Sequence, residues 1–94
     1  MQTAEVDVQN ASGLHARPAA TFVKAAATFR SQVRIENVTR GSSAVNAKSL
    51  LAVLGSGVER GHRIRISADG EDEEAAIEAL RALAESGFGE IAQP

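Results

Sequence analysis

"HRIRISADGEDEEAAIEALRALAESG", residues 62–87, changes its period in the middle. In its first half Ile64, Ile66 and Ala68 alternate with Arg63, Arg65 and Ser67. Side chains on a strand point to opposite faces in turn, so this is a strand with one apolar face and one wet face. After Gly70 the apolar residues are Ala76, Ile77, Leu80, Leu83 and Ala84. That spacing draws a stripe along one side of a helix. The helix opens on acidic residues, which suit its positive N-terminus, and Gly87 supplies the stop signal. A one-faced strand and a one-striped helix each need a cover, and two stacked layers provide it.

The rest of the chain repeats these two patterns. "AEVDVQ", residues 4–9, places Val6 and Val8 inward and Glu5 and Asp7 outward. "ARPAATFVKAAATF", residues 16–29, has helical spacing, with an expected stripe of Ala16, Ala19, Ala20, Val23, Ala26, Ala27 and Phe29. Pro18 belongs in a first helical turn, where its missing N–H costs no bond. "QVRIEN", residues 32–37, puts Val33 and Ile35 inward. "VTRGSS", residues 38–43, is turn chemistry, and a short strand through Ala44–Asn46 pairs back as a hairpin. "KSLLAVLG", residues 48–55, reads as a two-turn helix with Asn46 or Ser49 as N-cap and Gly55 as stop. The order is β-α-β-β-α-β-α. It predicts an α+β two-layer sandwich, one antiparallel or mixed sheet with all helices on one side. No linker or repeat divides the chain, so one domain over 1–94 is expected. "EIAQP", at 90–94, reads as a tail or the start of a linker.

Composition removes several classes of function. The 94 residues can hide roughly 60–65% of the surface of the unfolded chain, enough for one small core. There is no cysteine, so no disulfide framework and no thiolate metal site, which fits a reducing cytoplasm. The net charge of −2 and the three phenylalanines, with no Trp or Tyr, argue against nucleic-acid binding. No apolar run has the length of a membrane span.

"NASGLHARPAA", residues 10–20, carries the chemistry. His15 falls at the N-cap of the first helix, where the amides of Ala16 and Arg17 lack intrahelical partners. Such a terminus is an anion site. A neutral imidazole has a free lone pair and is a nucleophile at physiological pH. Arg17 adds a charge that can pair with phosphoryl oxygens. Ser12 and Gly13 let the chain turn tightly and leave the approach open. The combination suits accepting a phosphoryl group on nitrogen. Composition and spacing alone favour a plain exposed polar residue, and no second ligand sits at metal spacing.

"GLHARPA" resembles the phosphorylation signature of HPr, the histidine-containing phosphocarrier family of the bacterial sugar phosphotransferase system. The stretch "VNAKSLLAVLGSGVERGHRIRISADGEDEEAAIEAL" and the ending "GFGE" resemble the family's later blocks, in the same order. The resemblance implies an open-faced sandwich, with a four-stranded antiparallel sheet under three helices. It implies that His15 accepts a phosphoryl group on Nδ1 from enzyme I and passes it to enzyme II A-type components during sugar uptake. Arg17 would pair with the phosphate, and Ser12 and the amides of Ala16 and Arg17 would help to hold it. No cofactor or metal is implied. The protein would be a phosphohistidine carrier rather than an independent enzyme, a cytoplasmic monomer without membrane insertion.

The resemblance also implies a docking patch. Adjacent Leu50 and Leu51 cannot both be buried in so short a helix, because they face about 100° apart. With Leu54, Ala16 and Ala20 they would form an apolar centre ringed by Arg17, Lys24 and Lys48. Ser49 aligns with the serine that an HPr kinase phosphorylates in Gram-positive relatives; its other reading is a helix cap. Leu50 and Leu51 stand where the regulatory form has methionine or isoleucine. His62 reads as a plain surface histidine, and "EDEEAAIE" as a solvated helix start. The stretch "IENVTRGSSAVNAKS" is longer than in the stand-alone carriers and resembles HPr-like modules inside multi-domain phosphoryl transfer proteins of the fructose or dihydroxyacetone-kinase type. A purely regulatory HPr-like protein acting through Ser49 would have no need of His15, Arg17 and Pro18 together.

Overall fold

The computed structural model describes residues 1–90. Of the tail or linker expected at 90–94, residues 91–94 lie outside the described residues, while Glu90 is bonded to the body of the fold. The elements are β1 (Gln2–Asp7), α1 (Ala16–Ala27), β2 (Gln32–Asn37), β3 (Val45–Asn46), α2 (Leu50–Gly55), β4 (Arg63–Asp69) and α3 (Glu73–Glu85). The order matches the reading from periodicity. The strands form one sheet in the order β1-β4-β2-β3, and every pairing is antiparallel. β4 therefore lies between the first two strands of the chain, with Ile66 opposite Ala4 on one side and Ile35 on the other.

Alternation puts the layers where they are. Val6, Val33, Ile35, Ile64, Ile66 and Ala68 are buried, as is Val8 just beyond β1. Their neighbours carry charge and face solvent. On that outer face Arg65 bonds Glu5 at 2.8 Å and Glu36 at 3.1 Å, while Arg63 bonds Glu5 and Asp7, each at 3.1 Å. The Arg65 hydrogen bond, and then that of Arg63, hold the Glu5 carboxyl below its ordinary range. These groups are solvated, so the network favours register more than stability.

The helical layer corrects one reading. α1 buries Pro18, Ala19, Phe22 and Ala26, whereas Ala16, Ala20 and Ala27 are exposed and Val23 is half-buried. The helix is turned so that its one large aromatic is central. Phe22 meets Phe88 edge-on, with centroids 5.7 Å apart and rings at 86°. α3 keeps its expected stripe, with Ala76, Ile77, Leu80 and Ala84 buried and Leu83 half-buried. Its C-terminus closes as the Gly87 position predicts. Gly87 is left-handed, and the Phe88 N–H reaches back to the Leu83 carbonyl at 2.8 Å.

His62 is not a plain surface residue. It is half-buried, and its Nδ1 accepts from the Glu59 N–H at 3.1 Å and faces the Asn37 amide nitrogen at 3.2 Å. Both neighbours are donors, which assigns the ring proton to Nε2. Asn37 is itself fully buried and also donates to the Ser56 carbonyl at 3.1 Å. The acidic run is likewise more than a solvated start. Asp72 accepts from the Arg30 N–H at 2.8 Å, the Ser31 N–H at 2.9 Å and the Ser31 hydroxyl. The turn before α3 is thereby tied to the turn after α1.

Candidate functional site

The loop from 9 to 15 is held from below. Leu14 is fully buried, and its N–H donates to the Val58 carbonyl at 3.0 Å. Gly13, at φ +58, lies against Val58 and Glu59 so closely that a Cβ would sit 2.7 Å from the Glu59 Cα. The Gly13 N–H bonds the Asn10 carbonyl at 3.2 Å, and the Asn10 side chain returns a bond to the Gly13 carbonyl at 2.9 Å. A rigid base thus delivers the chain upward into His15.

His15 takes the N-cap of α1 with extended backbone, φ −124° and ψ 161°, and its side chain makes no capping bond. The ring is exposed. Ala16 follows at φ +50, a left-handed conformation that costs an alanine about 1–2 kcal/mol. Arg17 is exposed, and among the described residues no ion pair engages it. Pro18 is buried and brings no N–H to the helix start. The open donors there are the amides of Ala16 and Arg17. The structure thus brings together the exposed His15 ring, the open amides of a helix start and the exposed Arg17 guanidinium.

Ser12, expected to help hold the phosphate, has its donors on a carboxylate. Its hydroxyl donates to Glu90 Oε2 at 2.6 Å, and its N–H donates to Glu90 Oε1 at 3.1 Å. The Asn10 amide donates to the same Oε1 at 3.0 Å. The Ser12 hydroxyl, with the Asn10 amide and the Ser12 N–H, holds the Glu90 carboxyl below its ordinary range. No local motif in the sequence marks Glu90 as a site residue. It stands 78 positions from Ser12, and no periodicity connects them. Beside it runs a groove of about 820 Å³, lined by Arg17, Thr21, Arg60, Glu85 and Glu90 among others.

The residues of the expected docking patch come mainly from α1 and α2, which pack against each other. Leu51 is 82% exposed and Leu50 44%; among the described residues only Met1 is a further exposed large apolar side chain. Ala20 and Lys24 are exposed on α1, which packs against α2, and Leu54 is half-buried. Lys48 is drawn aside: its Nζ donates to the Phe29 carbonyl at 2.7 Å, at the far end of α1. Ser49 is the N-cap of α2, its Oγ accepting from the Ala52 N–H at 3.2 Å; Asn46 is not the cap. Among the described residues no three His, Cys, Asp or Glu side chains could hold a metal, and no helix is long and apolar enough to cross a membrane.

Comparisons with known proteins agree with this geometry. The family model for the PTS HPr component phosphorylation site matches residues 2–86. A multiphosphoryl transfer protein of Haemophilus influenzae is 45% identical over 83 residues, 88% of this chain and 17% of that protein. The chain spans about 17% to 23% of the length of the multiphosphoryl transfer proteins it matches. The phosphocarrier protein HPr of Streptomyces coelicolor is 44% identical over 91 residues, 97% of this chain and 96% of that protein. Two crystal structures from Thermoanaerobacter tengcongensis superpose on it. HPr-C-His has a TM-score of 0.90 at 44% identity, covering 98% of this chain and all (100%) of that one. An HPr dimer has a TM-score of 0.74 at 46% identity, covering 96% of this chain and 100% of that one. The helix start that presents His15, the sheet beneath it and these matches give one conclusion: the chain belongs to the HPr family of phosphotransferase-system phosphocarriers.

Proposed function

We propose that this chain carries a phosphoryl group on His15, taking it from phosphorylated enzyme I and passing it to enzyme II A-type components during sugar uptake. The observation that carries the reading is His15 itself, exposed, without a capping bond, at a helix start beside exposed Arg17. The free ring nitrogen, Nδ1 by resemblance, attacks the phosphorus of the donor phosphohistidine. An N–P bond forms on His15 as the donor's N–P bond breaks, and the donor nitrogen recovers its lone pair. The helix amides and Arg17 stabilise the charge on the transferred oxygens. Discharge to the next histidine is the same step in reverse sense.

The exposed Leu50 and Leu51, with Ala20 and Lys24, suit transient docking of both partners in turn. Lys48 is a weaker part of the rim, since its charge is engaged by Phe29. Phosphorylation of Ser49 by an HPr kinase would put negative charge at the patch and oppose docking. We read the carrier as a cytoplasmic monomer of one domain. A second reading, a module serving a multi-domain phosphoryl transfer protein of the fructose or dihydroxyacetone type, draws on the multiphosphoryl relatives.

Phosphoenolpyruvate, Mg²⁺ and enzyme I should add one phosphoryl group to the chain, labile in acid and stable in alkali. His15→Ala should abolish the label. His62→Gln, which spares the fold better than alanine, should keep it. Label retained by His15→Ala would remove the assignment.

A further inference from the structure

We propose that Glu90 is a positioning residue of the phosphorylation site, a carboxylate that occupies the Ser12 donors in the unloaded carrier and so weakens the hold on a phosphoryl group at His15. The inference rests on the phosphocarrier reading and names what regulates that site.

The argument begins with counting donors. Ser12 offers one hydroxyl proton and one amide proton, and Glu90 takes both. The Asn10 amide adds a third donor to the same carboxylate while its other hydrogen serves the Gly13 carbonyl. The clasp therefore couples Glu90 to the loop whose next residues are Leu14 and His15. A phosphoryl group on His15 brings three acceptor oxygens and a charge of about −1.5 to −2. If it recruits the Ser12 hydroxyl, Glu90 loses a charge-assisted bond. If Glu90 keeps that hydroxyl, the phosphoryl oxygens have only the helix amides and Arg17. In both cases the carboxylate also repels the incoming anion, and Arg17 lines the same groove as Glu90. Each effect has the same sign. Glu90 destabilises the loaded form relative to the free form, which favours passing the group onward.

The test measures the equilibrium between phosphoenolpyruvate plus carrier and pyruvate plus phosphocarrier. Catalytic enzyme I and a large pyruvate excess keep loading partial, and ³¹P NMR reads the loaded fraction. Glu90→Gln keeps the shape and removes the charge; Glu90→Ala removes both. Each should shift the equilibrium constant toward the loaded form by about three- to tenfold, in a carrier that still unfolds cooperatively with a modestly lowered thermal midpoint. In a Ser12→Ala background the same Glu90→Gln change should have a smaller effect, since the contested hydroxyl is gone. An unchanged constant, or a shift toward the free form, in folded Glu90→Gln overturns the proposal while leaving His15 as acceptor. An equal Glu90→Gln effect with and without the Ser12 hydroxyl overturns the donor competition. A parent chain that takes no label at all overturns the phosphocarrier reading and this inference with it.

Discussion

At each end of α1 a carboxylate from far along the chain closes over a serine. After the helix, Asp72 accepts from the Ser31 hydroxyl and from the amides of Ser31 and Arg30. Before it, Glu90 accepts from the Ser12 hydroxyl and amide and from the Asn10 side chain. The chemistry is nearly the same, but the surroundings differ. Ser31 is buried at 1% exposure with Gly70 packed against it, whereas Ser12 is half-buried next to exposed His15. Backbone strain is also divided. The two non-glycine residues with positive φ among the described residues, Ala16 and Phe88, both lie at the Glu90 end. At the other end Thr28 caps α1 in ordinary helical geometry, with φ −76°. One clasp sits among relaxed turns and secures the fold. The other sits among strained ones, beside the exposed ring of His15.

The hardest blow to this contrast is Gly13→Ala. The substitution forces an alanine into left-handed backbone and drives its Cβ into the Val58 carbonyl and the Glu59 Cα. Neither obstacle is a flexible side-chain end. A loss of about 2–4 kcal/mol in urea unfolding is expected. A loss under about 1 kcal/mol would mean that the loop is not pinned from below, and that His15 owes its position to something else.

Asp72→Asn tests the other end with a smaller effect. The Ser31 hydroxyl, then the Arg30 amide, bring the Asp72 carboxyl down from its ordinary 3.8 to about 2. The folded pKa is depressed, so the stabilisation is complete above the unfolded value and fades as pH falls through the folded one. The wild type should therefore lose stability between pH values of about 4 and 2. Asp72→Asn should be less stable at neutral pH and show a shallower decline across that window, as read from urea midpoints. Phosphoryl acceptance should be unaffected. If acceptance falls while the acid profile stays unchanged, the two clasps have been assigned to the wrong tasks.

How much of this the sequence displays depends on which forces leave a period. Val33, Ile35, Ile64 and Ile66 alternate because a sheet has two faces, and the layer order follows from them. The α3 stripe is legible because Leu80 and Ile77 contrast with glutamates. α1 is alanine on nearly every side, so hydrophobicity alone cannot orient it; the volume of Phe22 does, through a contact with Phe88 on the far side of the chain. His15 and Arg17 are legible because the cap chemistry is local. Glu90, Asp72, His62 and Lys48 act through a few polar contacts to residues distant in sequence, 78 residues for Ser12–Glu90 and 41 for Ser31–Asp72. Such pairs leave no periodic trace.

Ala16→Gly is the mildest change and the most discriminating. Ala16 sits at φ +50 between the extended backbone of His15 and the first turn of α1. Its methyl is exposed, so removing it sacrifices little burial. Glycine relieves about 1–2 kcal/mol of left-handed strain, and its greater freedom in the unfolded chain returns about 0.5–1 kcal/mol of that gain. The variant should be more stable by about 0.5–1 kcal/mol, measurable as a higher urea midpoint at unchanged slope. A substitution that removes a side chain and raises stability identifies a strained residue, because the opposite sign is the rule elsewhere in a helix. The matching readout is the rate of phosphoryl acceptance from enzyme I. If the strain helps to hold the His15 ring toward its donor, the stabilised variant should accept the group more slowly. Higher stability with an undiminished rate would make the strain incidental to transfer, leaving the exposed ring and Arg17 as the features that separate this end of α1 from the other.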